Sequence, residues 1–181
     1  MRADAAASIT RILDAARQVF ARGDGSGTLE VIAREAGVGI ATLYRHFPNR
    51  QTLAGAVYDR IFAVEVEPLL FDLENSDTSR AALLDITERI VSVARREIGM
   101  LTTLGGLWDR TATLLSEHDD AFEALVLRGQ IAGDLRSELS GRDIPQLLAM
   151  LAASGAALDL DRHELRRYLG FMIDGIRPLS R

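Results

Sequence analysis

The sequence predicts an all-α protein: a three-helix N-terminal domain over residues 1–62, followed by a larger helical domain over residues 63–181. Three observations carry this. Apolar residues recur at three- and four-residue spacing along nearly the whole chain, the mark of one buried helix face. No stretch sustains the two-residue alternation of a half-buried strand, and no Asn-Gly hairpin turn occurs. The 181 residues hold only 4 Pro, which leaves long segments free to be helical.

The elements follow in order, roughly eight to ten helices in all. Ile9, Ile12, Leu13, Ala16, Val19 and Phe20 form one face of a helix over residues 6–22. Gly23-Asp24-Gly25-Ser26-Gly27 breaks it. Thr28 caps a second helix with Leu29, Ile32, Ala33 and Ala36 on its apolar side, and Gly37 ends it in left-handed geometry. A short third helix runs from Gly39 or Ile40 to His46, because Pro48 disfavours helix in Phe47. Asn49 caps a fourth, with Leu53, Val57, Ile61 and Val64 continuing toward Pro68. Beyond it, helical patterns cover residues 81–98, 101–115, 121–132, 144–160 and 164–176, with Gly133 terminating the third of these five.

Composition narrows the chemistry. With 0 Cys there is no disulfide framework, thiolate nucleophile or cysteine-ligated metal. All 21 basic residues are Arg, so Schiff-base lysines and the P-loop lysine are absent. No Gly-x-Ser-x-Gly elbow and no His-Glu-x-x-His is present, which argues against an enzyme. Glu117-His118-Asp119-Asp120 and the series Asp159, Asp161, His163 read as helix-terminal acids and a capped loop, and no metal or cofactor is implied. The longest uncharged apolar run, Ile144 to Leu158, is shorter than the ~20 residues a bilayer needs. Without an apolar core of signal-peptide length at the N-terminus, a cytoplasmic protein with no membrane partner is expected.

Charge is uneven. Residues 1–62 carry eight Arg against six acids, and the remainder thirteen against twenty. Any anionic partner is therefore expected at the N-terminus.

The segment Thr28 to Phe47 is the most informative. Two short helices joined by Gly37-Val38 match a helix-turn-helix. Ala33 and Ala36 allow a close crossing, Val38 plugs the interface, and Leu43 and Phe47 face the core with Ile12, Ala16 and Phe20. Ala41, Thr42, Arg45 and His46 then fall on or beside the exposed side, flanked by Tyr44 with its hydroxyl toward a phosphate. A short helix with small and polar residues at its front fits a major groove. A three-helix domain that contacts a protein shares this pattern, so a ligand-sequestering or protein-interaction module stands as the alternative.

Ile12-Leu13-Asp14-Ala15-Ala16, Phe20, Ile32 to Gly39 and Ala41 to Arg50 resemble the TetR (tetracycline-repressor-like) family closely over residues 9–62. The resemblance implies a homodimeric transcriptional regulator, most often a repressor. Its helix-turn-helix would bind a palindromic double-stranded operator. Its C-terminal domain would dimerise and bind a small-molecule effector that releases the DNA. Carried onto this chain, Ile40–His46 is the recognition helix. Ala41 and Thr42 approach base edges or thymine methyls, and Tyr44 and His46 contact phosphates. Thr28 meets phosphate at the start of the second helix, and Arg50 stands where many members carry Lys. Gly39 lacks the polar side chain often found there, and apolar Ile40 suits packing as well as reading; with Arg45 both are among the expected DNA-binding residues.

Two further expectations concern the second domain. Met100, Leu104, Leu107, Trp108 and Phe122 are candidate walls of a ligand pocket, with Gly99, Gly105 and Gly106 marking missing side-chain volume; core packing explains the same residues equally well. The helix from Ile144 to Leu158 is apolar nearly all round. Leu148, Leu151, Ala152 and Gly155 on it, with Leu165, Leu169 and Met172 on the last helix, are the expected homodimer contacts across a two-fold axis.

Overall fold

The computed structural model describes residues 2–22, 27–97, 107–158 and 160–178. Among them are ten α-helices and no strand: α1 (Arg2–Ala21), α2 (Leu29–Glu35), α3 (Ile40–His46), α4 (Arg50–Ile61), α5 (Glu67–Asn75), α6 (Arg80–Arg96), α7 (Leu107–Ser116), α8 (Asp119–Ala132), α9 (Asp143–Ala157) and α10 (Arg162–Gly175).

The chain divides into two compact units. The first comprises Met1–Val64 with Arg96–Leu107, and the second Glu65–Arg95 with Trp108–Arg181. In the first unit, α1 packs on α4 and α2, and α2 on α3. Ile12, Ala16, Phe20, Ile32, Leu43, Leu53 and Val57 are buried at their centre, each large side chain contributing about 1.5–3 kcal/mol of hydrophobic stabilisation. The caps sit where the side chains demand them. Thr28 Oγ1 accepts from the Val31 amide at 3.4 Å, and Asn49 Oδ1 from the Thr52 amide at 2.8 Å. Gly37 turns the chain between α2 and α3 at φ +63°, a conformation that a side chain would strain.

One boundary departs from expectation. The apolar pattern of the fourth helix continues through Val64 toward Pro68; α4 instead ends at Ile61 and leads into a π-helix, Phe62–Val66, and α5 begins with Pro68 in its first turn. Proline lacks an amide proton and clashes with the carbonyl four residues back. The wider π register places that misfit at a helix start, where neither defect breaks a bond.

In the second unit α5 lies against α8. His118 Nδ1 is 2.6 Å from Glu74 Oε1, and Arg128 donates to the Glu74 carbonyl. Phe122, Leu125 and Val126 form the buried side of α8, which Gly133 ends in the left-handed region as expected. Glu88 on α6 is buried, accepting from Arg162 Nε at 2.7 Å and from Arg166 on α10. Burial pushes its carboxyl up, but the two guanidinium groups outweigh that and hold it below the usual carboxylate range. Asp161 starts α10 with a capping box to Glu164 and is a cap, while Asp159 lies outside the described residues.

Candidate nucleic-acid interface

Every residue of α3 has its direction set by two anchors. Leu43 is 0% exposed, and Phe47, which follows the helix, is also buried. Gly39, Ile40, Ala41, Tyr44 and Arg45 are exposed, and Thr42 and His46 half-buried. Ile40 is 38% exposed and Tyr44 45%, large apolar surfaces that a free-standing domain gains nothing by presenting to water. Thr28 is exposed at the start of α2 while its hydroxyl caps that helix.

Arg50 is half-buried, with Cζ 4.6 Å from the centroid of the Phe20 ring. A planar guanidinium stacks in this way where an ammonium offers only a point charge. Gly27 lies beside it: a Cβ there would stand 3.2 Å from Arg50 Nη1 and 2.4 Å from Val19 Cγ1.

Glu30 is a participant that the sequence reading did not single out. Its carboxyl is held below the usual range by its own backbone amide, then by the hydroxyls of Thr28 and Tyr44. An acid two residues after a Thr cap is the only sequence signal for this.

The second unit places its expected site residues differently from one another. Met100 and Leu104 lie outside the described residues, as do the side chains of Leu107 and Trp108. Phe122 is buried in the core of α8 and does not line a cavity of about 60 Å³ found in this unit. That cavity is lined by Leu83, Thr87, Leu125, Leu148, Leu151 and Met172, among others. Of the expected dimer contacts, Leu148, Leu151, Leu165 and Leu169 point inward and are buried within their own unit. Gly155 is also turned inward: a Cβ there would stand 2.3 Å from Val91 Cγ1, so α6 and α9 cross where only glycine fits. Ala152 is half-buried and Met172 exposed. The physical reason is that an apolar helix must cover its own core before it has a face to offer. On α9 and α10 the large apolar residues left outside are Met150, Tyr168, Phe171 and Met172; Phe71, Leu127, Ile131 and Leu158 are exposed elsewhere in the unit. Those three α10 positions recur at the spacing of one helix stripe.

Among the described residues, no group of three His, Asp or Glu side chains could hold a metal ion, and no helix is long and apolar enough to cross a membrane.

Residues 12–57 match the family model described as bacterial regulatory proteins, tetR family. The chain is 31% identical to a TetR transcriptional regulator of known structure from Streptomyces coelicolor, covering 95% of this chain and 99% of that one, with a TM-score of 0.62. The chain belongs to the TetR family. A TetR transcription regulatory protein from Mycobacterium vanbaalenii is 27% identical, covering 98% of this chain and 99% of that one at a TM-score of 0.62. A curated relative, the nucleoid occlusion factor SlmA of Haemophilus influenzae, is 24% identical over 155 residues, 85% of this chain. The chain spans 65% of that relative's length. Within the TetR fold, α2 and α3 are the helix-turn-helix.

Proposed function

We propose that this TetR protein is a ligand-responsive repressor that binds a palindromic operator as a homodimer and is released by a small molecule. The observation that supports this best is α3 itself. It is anchored by Leu43 and Phe47 and presents Ile40, Ala41, Tyr44 and Arg45 outward. Residues 1–62 serve as the DNA-binding domain and residues 63–181 as the ligand-binding and dimerisation domain. Thr28, Tyr44, His46 and Arg50 meet phosphates, and Ala41 and Thr42 meet bases. The second copy docks on the outer stripe of Met150, Tyr168, Phe171 and Met172, whose exposure favours it over the buried leucines. The effector is apolar and enters beside Leu125 and Met172. A cavity of about 60 Å³ is well below the several hundred Å³ of a ligand pocket, so binding must open it, and that displacement is the release signal. No catalysis is assigned.

Fluorescence anisotropy on operator and scrambled duplexes tests the DNA reading. Tyr44→Phe should lose a few-fold in affinity on both duplexes alike. The loss is modest because one hydroxyl–phosphate hydrogen bond is removed while the ring keeps its place. Thr42→Ala should weaken the operator more than the scrambled duplex. If both variants stay folded and bind as the unmodified protein does, α3 does not read DNA.

A further inference from the structure

We propose that Arg45 is the specificity-determining residue of this chain: it reads a guanine in each operator half-site, beside thymine methyl groups met by Ile40, Ala41 and Thr42. The inference rests on the DNA-reading role of α3 and adds the bases that it reads.

The first support is direction. At 100° per residue, Ala41 and Arg45 both lie about 160° from Leu43, nearly opposite the anchored side. Both are exposed, while Leu43 and Phe47 are buried. Tyr44 lies to one side of this outermost stripe, and Thr42 and His46, half-buried, to the other. In the proposed complex the stripe opposite the anchor faces the groove floor, with Thr42 at its N-terminal edge, and Tyr44 and His46 turn toward the phosphate walls. A helical side chain leans toward the N-terminus, so Arg45 extends over Ala41. A single methyl there leaves its path open.

The second support is availability. In the first unit, Arg11 bonds Ser8, Arg17 pairs with Glu97, Arg22 with Glu35 and Arg60 with Asp14, and Arg50 is stacked on Phe20. Arg45, like Arg34 on α2, makes no side-chain hydrogen bond or ion pair among the described residues, so no protein partner must be displaced before it meets a base.

The third support is what α3 lacks. Ile40-Ala41-Thr42-Leu43-Tyr44-Arg45-His46 contains no Asn or Gln to read adenine bidentately and no Asp or Glu to accept from cytosine. Arg45 is its one side chain with a two-pronged donor, which matches guanine O6 and N7. Ile40, Ala41 and the Thr42 methyl offer apolar contact, and thymine is the base that presents a methyl in the major groove.

The test is selection of binding duplexes from a random pool by the full-length protein, run in parallel with R45A and R45K. The unmodified protein should enrich an inverted repeat with one fixed G·C pair in each half, next to A·T pairs. R45A should lose preference at that pair alone, by about 10- to 100-fold in discrimination. R45K keeps the charge but not the fork, and should lose the same preference while retaining its salt dependence. Replacing that guanine with 7-deazaguanine should weaken the unmodified protein and leave R45A unaffected. If R45A keeps every base preference and loses affinity uniformly, Arg45 binds phosphate and the proposal is wrong, though α3 still reads DNA. If the unmodified protein enriches no common sequence, the proposal falls together with the reading beneath it.

Discussion

Phe122→Ala is expected to destabilise the second unit by about 3–5 kcal/mol, the usual cost of deleting a fully buried aromatic side chain. Phe122 is 0% exposed and stands on the inner side of α8 with Leu125 and Val126. Its ring centroid lies 6.1 Å from that of His118, which in turn meets Glu74 on α5. Removing the ring therefore takes away both packing volume and the support of the α5–α8 contact. Urea denaturation followed by circular dichroism reads the effect as a lower midpoint. A cost below about 1 kcal/mol would mean that the site tolerates an empty volume, as a ligand pocket wall does. That outcome would restore Phe122 to the effector site.

Arg17→Met is expected to cost about 3 kcal/mol. Arg17 Nη2 lies 2.5 Å from Glu97 Oε1, and Glu97 is 5% exposed with its second oxygen, Oε2, unpartnered among the described residues. Deleting the arginine strands a buried carboxylate, which typically costs 3–5 kcal/mol. The lower end applies because the Arg17 side chain keeps 33% of its surface in water. Adding Glu97→Leu to Arg17→Met should recover most of the loss, since the stranded charge is then gone. Urea midpoints of the two single variants and the double variant form the cycle that measures this. Equal losses in Arg17→Met and the double variant would show that the arginine acts by packing alone. Glu97 immediately follows α6, which makes this pair an anchor for the chain where it re-enters the first unit.

Local signals made the N-terminal unit legible. Thr28, Gly37 and Asn49 each dictate a cap or turn through their own chemistry, and Leu43 and Phe47 fix which side of α3 is buried. The π-helix was not legible, because Pro68 has the same sequence signal whether it ends a helix or starts one. The inner and outer sides of α9 could not be told apart, because Leu148 and Met150 are equally apolar and only the tertiary fold decides which is buried and which meets water. Arg17 and Glu97 are 80 residues apart, a separation at which no spacing rule operates. Glu30 was overlooked because an acid in the first turn of a helix has a sufficient explanation in the helix dipole. The influence of the Tyr44 hydroxyl on its carboxyl depends on how α2 and α3 cross.

The central claim is that two copies of α3 enter successive major grooves of one operator. Hydroxyl-radical footprinting of the full-length protein on its selected duplex tests it most directly. The account predicts two protected patches related by a dyad, with centres about 34–36 Å apart or somewhat more. A single patch, or even protection along the whole duplex, would contradict it.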